Sequence, residues 1–295
     1  KGDGGRQFDA ENGFIGDHGR CHIRGKQFLY DGGIRIPMIM RWPGKVAPGQ
    51  VSEDLVMSID ICATVLAAAG VEPPVPLHGK DLLGDEVNQR RYVFAARDKM
   101  DETHDAMRAI RSRDFKLIFN LMPERPWCQF NRYKEGAYPA LAEMNVLNMK
   151  GLLTPEQAAF FARTKPAVEL FDLRNDPHEL HNLAGDSRYD SKLSELLAEL
   201  DRWRREVIDD QGVSNDFRAD GVFPASCPLA KVDDWVVANA ENYDFNRYGW
   251  PDWYPTRTLE EWEAARAIWE PYVFRAADEK MPRPNLVHSK KKKKK

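Results

Sequence analysis

Asp17, His18 and Gly19 are consecutive, and a carboxylate beside an imidazole can turn toward one cation while the glycine brings no side chain to crowd it. The same triplet also suits a plain turn. Lys26 follows Gly25 a few residues on, with His22 and Arg24 just before it. With His18, these place four cationic groups on one short segment. A metal, a lysine and an arginine converging there would form a site for a tetrahedral oxyanion. On spacing alone, a solvated basic loop fits equally well. A second group, Arg97, Asp98, Asp101, Glu102 and His104, offers cations for anionic substituents and acceptors for hydroxyls. A solvated charged hairpin accounts for that group too.

These residues need elements to position them. Phe14-Ile15 is a short apolar run that ends a buried strand, and Asp17-His18-Gly19 opens the loop at its carboxyl end, where open α/β sheets bind ligands. Gly25-Lys26 and Asp31-Gly32-Gly33 mark turns. Residues 37–42 read as a second strand, stopped by Pro43-Gly44. Ser58 to Ala69 reads as a helix with Ile59, Cys62, Val65, Leu66 and Ala69 on one face, Ser58 as cap and Gly70 as stop. These pieces resemble the closing portion of an α/β sheet domain.

From Arg91 the pattern changes. Tyr92 to Ala96 is a strand followed by the charged loop. Ala106 to Arg111 and Phe115 to Leu121 flank a hairpin turn at Ser112-Arg113-Asp114, and Val168 to Leu173 is a further strand. Asp190 to Asp209 is an amphipathic helix, its stripe formed by Leu193, Leu196, Leu197, Leu200, Trp203 and Val207. Four strands and one helix suggest a small antiparallel sheet with the helix across one face. The expected organisation is 1–90 as part of an α/β domain, 91–210 as a small α+β subdomain, 211–289 as an aromatic-rich extension and 290–295 as a lysine tail. In the extension, Leu259 to Trp269 reads as a helix, and the aromatics read as buried against the body or stacked on sugar rings.

The chain has 295 residues, 42% apolar and 30% charged, as in a soluble globular protein. No apolar run of about 18 residues offers a membrane span. Lys1 to Asn12 is polar and lacks the apolar core of a signal peptide. The net charge is −3; without Lys290 to Lys295 the balance is 37 basic against 46 acidic residues, which argues against a nucleic-acid partner. Cys21, Cys62, Cys128 and Cys227 form no CxxC pair, so a structural zinc site is not expected, while one or two disulfides stay open.

Three segments together carry a resemblance to a known family. Gly16-Asp17-His18-Gly19, then Gly25 through Pro37 with Tyr30-Asp31-Gly32-Gly33 and Arg35, then Arg41-Trp42-Pro43-Gly44, resemble the second signature region of the type I, formylglycine-dependent sulfatases. Ser58-Ile59-Asp60 through Gly70 with His78-Gly79-Lys80-Asp81-Leu82-Leu83, and Glu169 through Leu183, resemble later parts of the same family in the same order. The similarity covers Phe14 to Asp210 and is closest to the glycan sulfatases related to heparan N-sulfatase. It implies an α/β fold: the C-terminal portion of an alkaline-phosphatase-like sulfatase sheet domain, followed by a small antiparallel-sheet-plus-helix subdomain. Asp17 and His18 match a late pair of metal ligands, and Lys26 matches the lysine that holds a sulfate oxygen. Arg35 matches an arginine shaping the floor of the site. His22, Arg24, Arg97 and His104 are the expected substrate contacts. The implied cofactor is a divalent metal, calcium in most of the family, with other divalent metals left open by the His18 nitrogen.

One departure from the family bears on activity. No cysteine of this chain begins the Cys/Ser-x-Pro/Ala-x-Arg motif that yields formylglycine; in the family this motif and two further acidic ligands lie far upstream. The expectation is therefore a C-terminal fragment of a sulfatase acting on sulfate esters or sulfamates of a sulfated carbohydrate, inactive alone and prone to self-association. The full-length relatives imply a periplasmic, secreted or lysosomal-type compartment. A two-metal phosphodiesterase or phosphonate hydrolase, and a non-catalytic glycan-binding fragment, are the alternatives.

Overall fold

The structure is a computed structural model, and it describes residues 6–8, 13–84, 89–100, 103–129, 131–207 and 258–273. In chain order the elements are β1 (Arg6–Phe8), β2 (Gly13–Ile15), α1 (Asp31–Ile34), β3 (Met38–Met40), α2 (Asp60–Ala69), β4 (Val93–Met100), β5 (Thr103–Arg111) and β6 (Phe115–Asn120). There follow α3 (Arg132–Ala137), α4 (Pro139–Met149), α5 (Pro155–Ala159), β7 (Val168–Asp172), a 3-10 turn at Ser187–Tyr189, α6 (Asp190–Glu206) and α7 (Leu259–Val273). The content is α/β, with both sheets antiparallel.

The chain divides into two compact units, 1–131 with 154–254, and 132–153 with 255–295. The first holds both sheets. Its small sheet runs β1-β2-β3, with Phe14 opposite Ile39. Phe14 was expected in a buried strand; it is 47% exposed, because this sheet has no layer over that face among the described residues. The strand expected over 37–42 is only three residues long, since Pro37 cannot donate to a ladder and Pro43-Gly44 ends it.

The larger sheet runs β4-β5-β6-β7. Side chains alternate across it. Ile110, Leu117 and Leu170 face α6 and close a core with Leu196 and Leu200, while Leu193, Leu197 and Trp203 pack at its margin. The Trp203 ring stacks on Phe94 with centroids 4.8 Å apart. The opposite face presents Arg97, Met107, Lys116, Ile118, Glu169 and Phe171, all nearly or fully buried. The β5–β6 hairpin closes through Ser112, whose N–H donates to the Phe115 carbonyl at 2.8 Å.

Other departures have local causes. Arg97 and Asp98, expected in a loop, are strand residues: β4 continues to Met100, with its register shifting between Arg97 and Lys99. Helix α2 starts at Asp60, not Ser58, and Gly70 ends it in the left-handed conformation, φ 66°. Its buried residues are Asp60 and Thr64, and Ile59 and Cys62 of the expected apolar face are exposed. Helix α6 ends at Glu206, and Val207 follows it. Helices α3 and α4 had no counterpart in the sequence reading, and α7 runs four residues past Trp269. In the second unit Ala142, Val146 and Trp262 form a small core, and Lys150 pairs with Glu263 at 2.6 Å. The lysine tail, Cys227 and the extension outside α7 lie outside the described residues, while Cys21, Cys62 and Cys128 form no disulfide among the described residues.

Candidate functional site

Strand β2 ends at Ile15, and the chain enters a loop that α1 returns toward β3. The Gly16 N–H donates to the Pro37 carbonyl, the Gly19 N–H to Gly33 and the Arg20 N–H to Gly32, each at 2.9 Å. The Lys26 N–H donates to the Arg20 carbonyl at 2.8 Å. One backbone-locked loop therefore carries Asp17, His18 and Lys26. Two glycines permit it: a Cβ at Gly19 would fall on the Gly32 carbonyl oxygen, and a Cβ at Gly25 on that of Arg20.

Asp17 is exposed and His18 half-buried. His18 Nδ1 lies 2.7 Å from the Gly19 carbonyl oxygen; with the proton on Nδ1, Nε2 carries the lone pair. Nε2 lies 4.0 Å from Asp17 Oδ2, close enough for both atoms to hold one cation at about 2.3–2.6 Å. Among the described residues no three His, Cys, Asp or Glu side chains converge as a metal site. The pair has the spacing that two ligands of one cation would need. Cys21 Sγ sits 3.9 Å from His18 Nδ1, a weak sulfur contact.

Lys26 is half-buried and His22 exposed. Arg24 points inward: its Nη1 donates to the His178 carbonyl at 2.8 Å, its Nη2 to the Glu179 carbonyl, and its guanidinium lies 3.6 Å from the Tyr30 ring centroid. Arg97 is also buried, and its Nη1 donates to the Gln27 carbonyl at 2.7 Å. Arg35 is exposed. His104 is the second residue of β5, opposite Lys99; its side chain lies outside the described residues, as do Asp101 and Glu102. The structure therefore brings Asp17, His18, His22, Arg24 and Lys26 onto one loop and turns Arg97 to its underside.

Beneath the loop lies a layer of buried charge that motif reading missed. Lys116 pairs with Asp31 and, at 2.8 Å, with Glu179, and Arg111 Nε approaches Asp31 at 3.3 Å. Burial alone would raise the Asp31 carboxyl, but Lys116 and then Arg111 outweigh it and hold the group below its usual value. The Tyr30 hydroxyl donates to Glu169 at 2.7 Å and Asn120 Nδ2 donates to Glu169 at 2.8 Å. Burial still pushes Glu169 up against those bonds, and it pushes Tyr30 well above its ordinary value. Lys165 donates to Asp105 at 2.7 Å, both side chains fully buried, and burial pulls its ammonium down despite that partner. The available signal was a charge within an apolar strand: Lys116 beside Leu117-Ile118, and Glu169 between Val168 and Leu170.

Comparison with known proteins finds related sequences and folds. Residues 16–137 match the family described as N-sulphoglucosamine sulphohydrolase, C-terminal. The chain is 39% identical over 198 residues to an ulvan-active sulfatase of Formosa agariphila, covering 67% of this chain and 33% of that protein. It is 25% identical over 212 residues to an N-acetylglucosamine-6-O-sulfatase of Bacteroides thetaiotaomicron, covering 68% of this chain and 30% of that protein. A solved structure in complex with its substrate D-glucosamine-2-N,6-O-disulfate aligns over 62% of this chain and 30% of its own, at 22% identity and a TM-score of 0.42. The chain spans about a third of the length of the curated relatives it matches. By sequence, the chain is similar to the C-terminal part of the sulfatase family.

Proposed function

We propose that this chain is the C-terminal part of a glycan sulfatase and contributes a lysine and two metal ligands to its sulfate site. The observation that supports this reading most is the single glycine-locked loop carrying Asp17, His18 and Lys26. The relatives' names point to sulfated glycans: ulvan for one, N-acetylglucosamine 6-O-sulfate for another. In the net reaction one water is consumed: the S–O or S–N bond breaks, the sugar leaves as alcohol or amine with a proton from water, and the sulfur leaves as sulfate. Lys26 neutralises charge on a sulfate oxygen as that bond breaks. His22 is exposed on the loop, while Arg24 ties the loop to the His178 and Glu179 carbonyls and Arg97 holds the Gln27 carbonyl from behind. Asp17 and His18 would hold a divalent cation, calcium by family resemblance, which supplies further charge neutralisation when bound. The nucleophile, formylglycine in the family, comes from sequence not present in this chain, so the chain alone turns over no sulfate ester.

Among the described residues no helix is long and apolar enough to cross a membrane. We assign the complete protein to a periplasmic, secreted or lysosomal-type compartment by family. The test is Lys26→Ala in the complete sulfatase, assayed on a chromogenic aryl sulfate. Turnover is expected to fall by about two decades or more, the cost of losing one oxyanion partner. Unchanged turnover removes Lys26 from the site, and turnover by the isolated chain removes the fragment reading.

A further inference from the structure

We infer that Arg97 is a positioning residue for Lys26, acting through the left-handed backbone of Gln27; this rests on Lys26 as the sulfate-holding lysine. Gln27 has φ 93°, a region that disfavours residues with a Cβ. Its two neighbours are fixed by their own amides: Lys26 N–H to the Arg20 carbonyl at 2.8 Å, and Phe28 N–H to Gly25 at 3.0 Å. The Gln27 carbonyl is left to accept from Arg97 Nη1 at 2.7 Å. Rotation of Gln27 out of this conformation would swing the chain between Gly25 and Phe28 and carry Lys26 with it.

Arg97 is itself aimed. The β4–β5 register passes from Arg97 opposite Met107 to Lys99 opposite His104, which sets Asp105 and Ala106 of β5 against Asp98 alone, a bulge in β5 directly across from Arg97. Bulges re-aim the neighbouring side chain. Arg108, 1% exposed, fastens this one: its Nη1 donates to the Arg97 and Met107 carbonyls, each at 2.9 Å, and pairs with Asp98 at 2.8 Å. On the other side Asp105 lies 3.9 Å from the Arg97 guanidinium and is held by Lys165 and by Gln129 Nε2, at 3.1 Å. The guanidinium also sits 5.6 Å from the Phe28 ring centroid. A buried arginine is a poor choice for filling space, since an apolar side chain of similar size avoids desolvating a charge. Its fixed fork of donors suits the task of holding one carbonyl in one orientation.

The test compares amide exchange and inorganic sulfate binding in the isotope-labelled chain. Arg97→Leu is expected to speed exchange at Lys26 and Phe28 by about tenfold or more while Leu117 and Leu170 stay within about twofold. Adding Gln27→Gly, which adopts positive φ without a steric cost, is expected to restore most of that protection and the sulfate affinity lost with it. A residue that only packs would not be rescued by a glycine one loop away. Unchanged exchange at Lys26, a parallel rise at Leu117 and Leu170, or no rescue by Gln27→Gly overturns the assignment. Lys26→Ala separates the two readings. If it leaves sulfate binding unchanged while the Arg97–Gln27 coupling persists, the sulfate role of Lys26 fails and the positioning of its backbone stands.

Discussion

Asp60 accepts from the Met57 N–H at 2.7 Å, the Lys80 N–H at 2.9 Å and both arms of Arg90 at 2.6 and 2.7 Å, with its side chain fully buried. Burial alone would raise its carboxyl, but the Arg90 and backbone hydrogen bonds hold it below its ordinary value. A carboxyl depressed in the folded state adds stability above its unfolded pKa of about 3.9 and loses it as pH falls through the folded value. Urea unfolding between about pH 6 and pH 2.5 should therefore show an acid-side loss that Asp60→Asn flattens. At neutral pH that substitution should cost roughly 3–5 kcal/mol, because Arg90 stays buried without its partner. Asp17, His18 and Lys26 were legible because their types and order sit within one loop. Lys116, Glu169 and Glu179 were not, because their meaning depends on Tyr30 and Asp31, more than eighty residues away in sequence.

Helix α6 was legible because its leucines keep a helical period and meet a core. Leu196 and Leu200 are buried, while Leu197 lies half-exposed at the margin. Leu200→Ala should cost about 2–5 kcal/mol in urea unfolding, and Leu197→Ala clearly less. Equal costs at the two positions would contradict the packing described. Helix α2 shows the limit of the same reasoning: its apolar period predicted a buried face, yet the residues it buries are Asp60 and Thr64. Periodicity states which side chains share a face but not whether anything covers it. The Arg97 segment failed for another reason, since charge suggested a loop where β4 continues opposite a bulge in β5, and a bulge leaves no mark on composition.

At the scale of the whole molecule, most of the exposed large apolar side chains among the described residues lie before the larger sheet. Ile39 is 62% and Val51 86% exposed, and Val56, Ile59, Val71, Val75, Leu77 and Leu83 are also exposed. Scattered apolar residues need no explanation, but a stretch as rich in them as this one favours association. The isolated chain is expected to show concentration-dependent sedimentation, reduced by Ile39→Lys with Val51→Lys; a monomer at every concentration would count against the proposed self-association. Net charge of −3 gives little repulsion to oppose it.

At Gly19 and Gly25 the loop is shaped by atoms that are not there. Every missense change at either codon adds at least a methyl group, and that methyl would fall on a backbone carbonyl oxygen, that of Gly32 in α1 or that of Arg20 in the loop. These two positions thus have no conservative replacement, and a genetic screen for loss of function should find alanine there as damaging as any bulky residue. The loop's tolerance to error is set by two hydrogens rather than by the charges it displays.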